Sequence, residues 1–368
     1  MMTQANLQSR KNWMYEICIS NPIFSYSQVN LQSRKNEIQT TNNTNIINRQ
    51  MFIRKPIFPS FDDFKCNTNN LHQYDPYTNE NVIDQDWWDS LPELAKNLIQ
   101  KRCTFTLDKV DMPHKIYKDN DDEFLANVYY SYLECFDYNN WYSADITDGP
   151  KEVKMIKIDD ELKQILVALY NKHDISDTDV CRLSDFKYEI SKNIGNERYF
   201  IRLSGTSGKN EKSVTSFNSA DDIVKHLYGN KLFVKQEYMI NKDSYLIMMK
   251  WNEKIVDRYE FRIFVVNNKI TAVSQQHWSK LFQYSEEELN DIEYALFNIE
   301  FIGQVPYKTF IGDIYIDMET KRCHLIECNP FGSHCGAGST LFNWIDDHDL
   351  LHGIDDKAEF RYLSIINY

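Results

Sequence analysis

A dense series of strand-like segments in the second half of the sequence limits the fold more than any other feature. In order, these segments read KLFVKQEYMI, SYLIMMKW, YEFRIFVVNN, KITAVSQQHW, TFIGDIYID and RCHLIECNP. One helical pattern, SEEELNDIEYALFNIE, separates the fourth segment from the fifth, and its Ser285 and Glu288 are spaced as a capping box. Runs of strands interrupted by a helix are typical of α+β domains, so the sequence predicts an α+β fold instead of a doubly wound parallel sheet.

Helical patterns precede these strands. In IDDELKQILVALYNKH the apolar residues recur at helical spacing, with acidic residues at the start and basic residues at the end. A second helix is expected near Leu183 to Ile194, followed by the strand RYFIRL and the short helix SADDIVKHLYGN. Asn267 and Asn268 predict a hairpin turn between the strands on either side of them.

Composition excludes several functional classes. The formal net charge of −13 argues against a general nucleic-acid binder, and no apolar run is long enough to predict contact with a membrane. Eight cysteines without a CxxC pair indicate free thiols in a reducing compartment, and we expect a cytoplasmic protein. Residues 1–50 are polar and rich in Asn, so we expect a low-complexity extension whose composition favours disorder.

Two carboxylates and an amide lie on the last predicted hairpin. Glu327 and Asn329 are two residues apart and therefore share one face of a strand, and Asp313 on the preceding strand can lie opposite them. Hard oxygen ligands of this kind suit Mg²⁺. The alternative is that Asp313 ends an exposed strand and Glu327 faces water.

A loop rich in Gly, Ser and Thr follows the strand RYFIRL and reads SGTSGKNEK. Its candidate phosphate-binding side chains are Arg202, Ser204, Ser207 and Lys209. The glycine spacing excludes a Walker A motif, and a solvated turn with surface lysines is the alternative. Further along the chain, main-chain groups of Gln236 to Tyr238 could meet an adenine, with Glu237 at the ribose.

Two cations interrupt apolar strands. Lys250 ends LIMMKW and Arg262 lies within EFRIFVV, and both could face the phosphates. Cations within strands more commonly face solvent or pair with a neighbour, and Glu260 is such a neighbour for Arg262.

In this order the segments resemble those of ATP-grasp proteins, and more narrowly the cell division cycle protein 123 family. The segments that carry the resemblance are LIMMKW, YEFRIFVVNNKITAVSQ, GDIYID, LIECNPFG and LFNW. Proteins of that family help to assemble the heterotrimeric translation initiation factor two. The resemblance spans about Tyr199 to Trp344 and describes this chain as a divergent member.

The resemblance implies an ATP-grasp fold in which two α+β lobes hold ATP between them, with residues 51–235 in the first lobe and residues 236–368 in the second. The residues that would bind ATP are Arg202, Ser204, Ser207, Lys209, Gln236, Glu237 and Tyr238. Those that would hold Mg²⁺ are Asp313, Glu327 and Asn329, while Arg262 and Lys250 would stabilise charge on a transferred phosphoryl group.

The sequence departs from the family pattern at four places. Arg202 stands where the family has lysine, Glu327 where it has aspartate, and Met249 where it has arginine. The turn between Asp313 and Glu327 is expected to contain one additional residue. The planar guanidinium of arginine binds phosphate with a geometry that differs from that of lysine.

Three functions remain open at this point. An assembly factor would bind Mg²⁺–ATP and a subunit of translation initiation factor two. An ATP-grasp ligase would pass the γ-phosphate to a carboxylate and let an amine attack the acyl phosphate. A role at RNA ends is opposed by the net charge of −13.

Overall fold

The computed structural model describes ten stretches of the chain, namely residues 52–57, 72–73, 82–108, 115–116, 123–208, 216–238, 242–332, 335, 337–354 and 357–364. The predicted extension over residues 1–50 lies outside this part, and so does Lys209. Within it, no helix is both long and apolar enough to cross a membrane. The described cysteines are all free thiols, as expected from their spacing.

The strands are β1 (Phe52–Ile57), β2 (His72–Gln73), β3 (Val82–Asp84), β4 (Thr106–Asp108), β5 (Lys115–Ile116), β6 (Val153–Ile158), β7 (Tyr199–Leu203), β8 (Ser244–Lys250), β9 (Glu260–Val266), β10 (Lys269–Gln275), β11 (Phe310–Asp317), β12 (Arg322–Asn329) and β13 (Ala358–Leu363). The α-helices are α1 (Gln85–Ser90), α2 (Glu93–Arg102), α3 (Glu123–Cys135), α4 (Tyr138–Trp141), α5 (Asp160–Tyr170), α6 (Asp177–Ile194), α7 (Ala220–Gly229), α8 (Lys231–Phe233), α9 (Glu286–Phe297) and α10 (His348–Leu351). The described part also contains a π-helical turn, Val234–Tyr238, and a 3₁₀ turn, Asp257–Tyr259.

A six-stranded sheet with the order β1-β13-β10-β9-β11-β12 forms the larger lobe. The strands β9 to β12 pair antiparallel, whereas β13 pairs parallel with both β1 and β10. One face packs on a core that includes α9, through residues such as Leu289 and Ile292. The other face is covered by the segment around Phe342 and Trp344, which packs on Phe264 of β9.

A three-stranded antiparallel sheet with the order β6-β8-β7 forms the smaller lobe. Its outer face packs on α5, α6 and α7, and the buried residues include Leu166, Phe186 and Leu227. The two sheets do not follow the predicted boundary between positions 235 and 236. The strand β1 joins the larger sheet, and β8, which follows the boundary, lies in the smaller one.

The α+β prediction is confirmed, and the two-lobed arrangement is compatible with an ATP-grasp fold. The hairpin between β9 and β10 is confirmed as well, because Asn267 and Asn268 both adopt positive φ, at 51° and 62°. This left-handed backbone matches the turn type that a two-residue hairpin favours. The helix predicted from SEEELNDIEYALFNIE is confirmed as α9, with Ser285 and Glu288 forming the capping box.

The prediction of a strand over KLFVKQEYMI was wrong. Residues 231–238 are helical, as α8 followed by the π-helical turn, and the last two residues of the segment lie outside the described part. The side chain of Asn230 accepts a hydrogen bond from the Leu232 N–H at 2.9 Å and so caps the segment. Phe233, Val234 and Tyr238 are all buried in the core of the smaller lobe, and this tertiary packing overrides the local β propensity.

The stability that Glu288 contributes through the capping box should depend on pH. Burial alone would raise the pKa of Glu288, but the Ser285 N–H, Arg258 and Tyr259 outweigh it and lower the pKa to about 2 from 4.5. A carboxylate with a depressed pKa contributes stability above its unfolded pKa and loses that contribution as the pH falls through the folded pKa. Glu288→Gln should therefore cost about 1 kcal/mol at pH 7 and progressively less from pH 4.5 to 2.

Urea unfolding over this pH range measures the effect. The neighbouring exposed Glu287 is the control, since Glu287→Gln removes the same charge from the first turn of α9 without touching the capping box. If Glu288→Gln lowers the free energy of unfolding by the same amount at every pH down to 2, the lowered pKa of Glu288 is not the source of its stabilising effect.

Candidate functional site

A row of buried polar side chains crosses the larger sheet. Asp313 is paired with both Glu327 and Arg262, Arg262 is paired with Ser274, and Ser274 is paired with Arg361. Directly paired residues project from the same face of a sheet, so the five side chains form one row. All five are buried, with relative exposures between 0% and 9%. The acidic residues of the last hairpin thus face arginines inside the molecule, and the alternative of exposed strand ends is wrong for them.

A break in the register directs Glu327 into this row. Asp313 pairs with Glu327, but the next residue, Ile314, pairs with Leu325, so Ile326 is an additional residue in β12. The residue predicted to lengthen the turn therefore lies within the strand as a β-bulge. Because of the bulge, Leu325 packs in the core that contains α9 while Glu327 projects from the opposite face.

Arg262 and Asp313 form a bidentate ion pair. Nε and Nη2 of Arg262 donate to the two carboxylate oxygens at 2.8 and 2.9 Å, and Nη1 donates to the Gly338 carbonyl at 2.5 Å. Burial would lower the pKa of Arg262, but the charge of Asp313 outweighs it, and the pKa is raised. The suggested pairing of Arg262 with Glu260 is wrong, because the partner comes from the neighbouring strand β11.

A second ion pair joins the two lobes. Arg202 of β7, in the smaller sheet, donates through Nη1 to Oε2 of Glu327 in the larger sheet. Both side chains are largely buried, at 7% and 12% exposure. The other carboxylate oxygen of Glu327 accepts from the Asn329 amide at 3.0 Å. The three predicted metal ligands and the predicted phosphate-binding arginine are therefore brought together at one place.

The loop after β7 is held tightly at its start. The hydroxyl of Ser204 accepts from the Tyr245 N–H at 2.9 Å, and the Ser204 carbonyl accepts from the Tyr138 N–H at 2.7 Å. Ser207 forms an isolated bridge with Arg202, and its buried hydroxyl has no hydrogen-bond partner among the residues that the structure describes. The predicted donor Ser207 therefore lies beside Arg202 with unused hydrogen-bonding capacity.

The other predicted site residues are separated from this cluster or lie outside the described part. Lys250 is three positions from Ile247, the partner of Arg202, and therefore points to the opposite face of β8. Its ammonium group pairs with Glu152 at 3.1 Å and Glu197 at 3.4 Å.

The residues proposed for adenine lie in the π-helical turn. The Tyr238 hydroxyl donates to the Leu227 carbonyl at 3.3 Å, and the tyrosine ring is buried in the core of the smaller lobe. The side chains of Gln236 and Glu237 belong to the part that the structure does not describe.

Sequence reasoning missed Arg361 at the other end of the row. Its guanidinium forms a bidentate pair with Asp347 at 2.6 and 2.7 Å and donates to the Leu341 carbonyl at 3.1 Å. These contacts hold the segment that covers the row. The only signal in the sequence is a cation alternating with apolar residues in AEFRYL, and that signal does not identify a partner.

The fold and these charges define a class: an α+β protein whose two lobes are joined by the Arg202–Glu327 pair, beside the Arg262–Asp313 pair of the larger sheet. Residues 213–367 match the sequence profile of the D123 family. The resemblance inferred from the sequence is confirmed. The matched segment contains Arg262, Asp313, Glu327 and Asn329, whereas Arg202 precedes it.

Individual relatives match over shorter segments. The chain is 33% identical over 104 residues to the translation initiation factor eIF2 assembly protein of Danio rerio, covering 27% of this chain and 28% of that protein. It is 29% identical over 157 residues to the Candida albicans protein of the same name, covering 41% and 45%. The matches thus span less than half the length of these relatives. The solved structure of Cdc123 from Schizosaccharomyces pombe is 19% identical, with a TM-score of 0.47 and coverage of 63% of this chain and 96% of that one.

Proposed function

We propose that the chain binds Mg²⁺–ATP between its two lobes and acts as a nucleotide-dependent factor in the assembly of translation initiation factor two. The observation that carries the nucleotide part is the convergence of Asp313, Glu327 and Asn329 with Arg202 from the other lobe. Carboxylate and amide oxygens are ligands that Mg²⁺ prefers, and an arginine fork suits phosphate oxygens. Mg²⁺, when bound, would neutralise charge on the phosphates.

The charges of the cluster fit this role in a specific way. Arg202 and Arg262 balance Glu327 and Asp313, so that the four buried groups carry no net charge. A divalent cation without nucleotide would compete with Arg202 and Arg262 for the carboxylates of Glu327 and Asp313. Arg202 and Arg262 would bind the phosphate oxygens of a triphosphate, and Glu327 and Asp313 would then hold the metal through the carboxylate oxygens that the arginines now occupy. The unused Ser207 hydroxyl provides a further phosphate donor beside Arg202.

The partner is inferred from the relatives. Proteins that match this chain carry the name of translation initiation factor eIF2 assembly proteins, and the D123 segment contains most of the charged cluster. Nucleotide binding would hold the two lobes in one arrangement, and a hundredfold excess of ligand over Kd stabilises a protein by about 2.7 kcal/mol. We therefore propose that Mg²⁺–ATP fixes a surface to which a subunit of the initiation factor binds in the cytoplasm.

The position of Lys250 favours this function over an ATP-grasp ligase. A ligase would use Lys250 and Arg262 together on the transferred phosphoryl group, but Lys250 lies on the face of β8 that points away from Arg202. Incubation with ATP and Mg²⁺ should accordingly produce binding without release of ADP. Steady ADP release that depends on an added carboxylate and amine would favour the ligase.

Glu327→Gln tests the metal assignment with little change in shape. Isothermal titration calorimetry with ATP, with and without Mg²⁺, should show that Mg²⁺ strengthens ATP binding to the wild type and no longer does so in the variant. Loss of a charged ligand of this kind corresponds to roughly tenfold or more in affinity. Asp317→Asn is the control, because Asp317 is a buried acid on the neighbouring strand β11 but pairs with Lys254. Unchanged Mg²⁺ dependence in Glu327→Gln would show that the metal assignment is wrong.

The assembly role is tested by binding to the purified subunits of translation initiation factor two. We expect one subunit to bind the wild-type chain more tightly in the presence of Mg²⁺–ATP, and Glu327→Gln to remove this increase. Equal binding with and without nucleotide would contradict the coupling, and no binding to any subunit would contradict the partner.

A further inference from the structure

A buried tyrosine next to the charged cluster has an unused hydroxyl. Tyr138 is 0% exposed, and its hydroxyl has no hydrogen-bond partner in the described part of the protein. A buried hydroxyl without a partner costs free energy, so such groups are rare in folded proteins unless a ligand or water completes them. Its position therefore requires an explanation beyond packing.

Tyr138 is fixed against Arg202 and the start of the loop after β7. The centre of its ring lies 5.2 Å from the guanidinium carbon of Arg202, and its N–H donates to the Ser204 carbonyl at the start of the loop. Its ring also packs on the rings of Trp141 and Tyr142, with distances between ring centres of 4.7 and 5.3 Å. Burial raises the pKa of Tyr138, Arg202 lowers it in part, and Glu327 raises it further, so both charges act on the phenol.

Neither charged neighbour forms a hydrogen bond with the hydroxyl. Glu327 accepts from Arg202 and Asn329, and Arg202 donates to Glu327 and to the Leu203 carbonyl at 3.3 Å. An anionic oxygen bound at Arg202 would place a strong acceptor in the surroundings of the phenol. Ser207, whose hydroxyl also has no partner among the described residues, pairs with Arg202 in a backbone bridge, so two residues with such hydroxyls are neighbours of one cation.

We propose that the Tyr138 hydroxyl is an additional phosphate-binding donor, which donates to a triphosphate oxygen when a nucleoside triphosphate is bound at Arg202. This inference rests on the proposed nucleotide site and adds a residue that lies outside the D123 segment and that no sequence motif indicates. Tyr138 is a positioning residue: together with Ser207 it would fix the orientation of the phosphate that Arg202 attracts.

The experiment compares Tyr138→Phe with Tyr307→Phe in the full chain. Both tyrosines are buried, but the Tyr307 hydroxyl donates to the Cys135 carbonyl at 2.6 Å and has a partner in the ligand-free protein. Thermal unfolding without nucleotide measures stability, and calorimetric titration with ATP and Mg²⁺ measures affinity. We expect Tyr138→Phe to leave the unfolding midpoint unchanged or higher and to weaken ATP binding by roughly tenfold.

Tyr307→Phe should behave in the opposite way, with a midpoint lowered by about 2–4 °C and unchanged ATP affinity. If the wild type binds ATP and Tyr138→Phe binds it equally well, the role of Tyr138 is overturned while the proposed function stands. If Tyr138→Phe is destabilised as much as Tyr307→Phe, the hydroxyl has a partner within the protein and the inference also fails. If the wild type does not bind ATP with Mg²⁺, both proposals are overturned.

Discussion

Replacing Arg202 with glutamine should weaken ATP binding and, in the same protein, strengthen the binding of Mn²⁺ without nucleotide. The two effects have opposite signs because Arg202 pairs with Glu327 in the structure and is the proposed partner of phosphate in the complex. Loss of a charge-assisted hydrogen bond to phosphate should reduce ATP affinity by roughly ten- to a hundredfold. Release of Glu327 from its ion pair should increase Mn²⁺ affinity by about tenfold, since a carboxylate becomes available.

Electron paramagnetic resonance of free Mn²⁺ and calorimetry with ATP provide the two measurements. Arg198→Gln is the matched control, because Arg198 is an exposed arginine just before β7 that pairs with the exposed Glu253. The control should leave both affinities close to those of the wild type. If Arg202→Gln binds both Mn²⁺ and ATP more weakly, Arg202 does not exchange Glu327 for phosphate when ATP binds. The arginine would then support the metal site instead of competing with the metal for Glu327.

Asp313→Ala should lower the free energy of unfolding by about 3–5 kcal/mol in the absence of nucleotide. The substitution leaves the buried Arg262 without the carboxylate that holds two of its N–H groups. The double substitution Asp313→Leu with Arg262→Met should recover most of the loss, because it removes both charges from the interior. Urea unfolding of the wild type, the single variants and the double variant measures these differences.

An exposed ion pair serves as the control for this effect. Nζ of Lys250 lies 3.1 Å from Oε2 of Glu152, and the two side chains are 36% and 62% exposed. Glu152→Ala should change the free energy of unfolding by no more than about 1 kcal/mol, because solvent screens such pairs. If Asp313→Ala also lowers the free energy of unfolding by no more than about 1 kcal/mol, Arg262 forms a hydrogen bond with another group or with water in the variant. The row would then be less buried than the structure indicates.

Local patterns made part of the fold predictable. The helix α9 has its cap and its apolar face within one segment, and the β9–β10 hairpin has its turn residues between two alternating strands. The pairing of Asp313 with Glu327 also followed from the alternation of side chains across one short turn. In each case the residues that determine the structure lie close together in the sequence.

The remaining features depend on contacts that are distant in the sequence. The pairing of Arg202 with Glu327 joins residues 125 positions apart, and no spacing rule relates them. The bulge at Ile326 exists because one face of β12 packs on the α9 core while the other carries the acid. Lys250 differs, since its alternation with the buried Met248 already indicates the face opposite Ile247.

A crystal structure of the chain with ATP and Mn²⁺, phased on the anomalous signal of the metal, tests the central claim most directly. We expect a metal bound at about 2.0–2.3 Å by carboxylate oxygens of Asp313 and Glu327. We also expect that the Arg202 guanidinium has moved from Glu327 to a phosphate oxygen. A metal or nucleotide bound elsewhere, with both acid–arginine pairs intact, would contradict it.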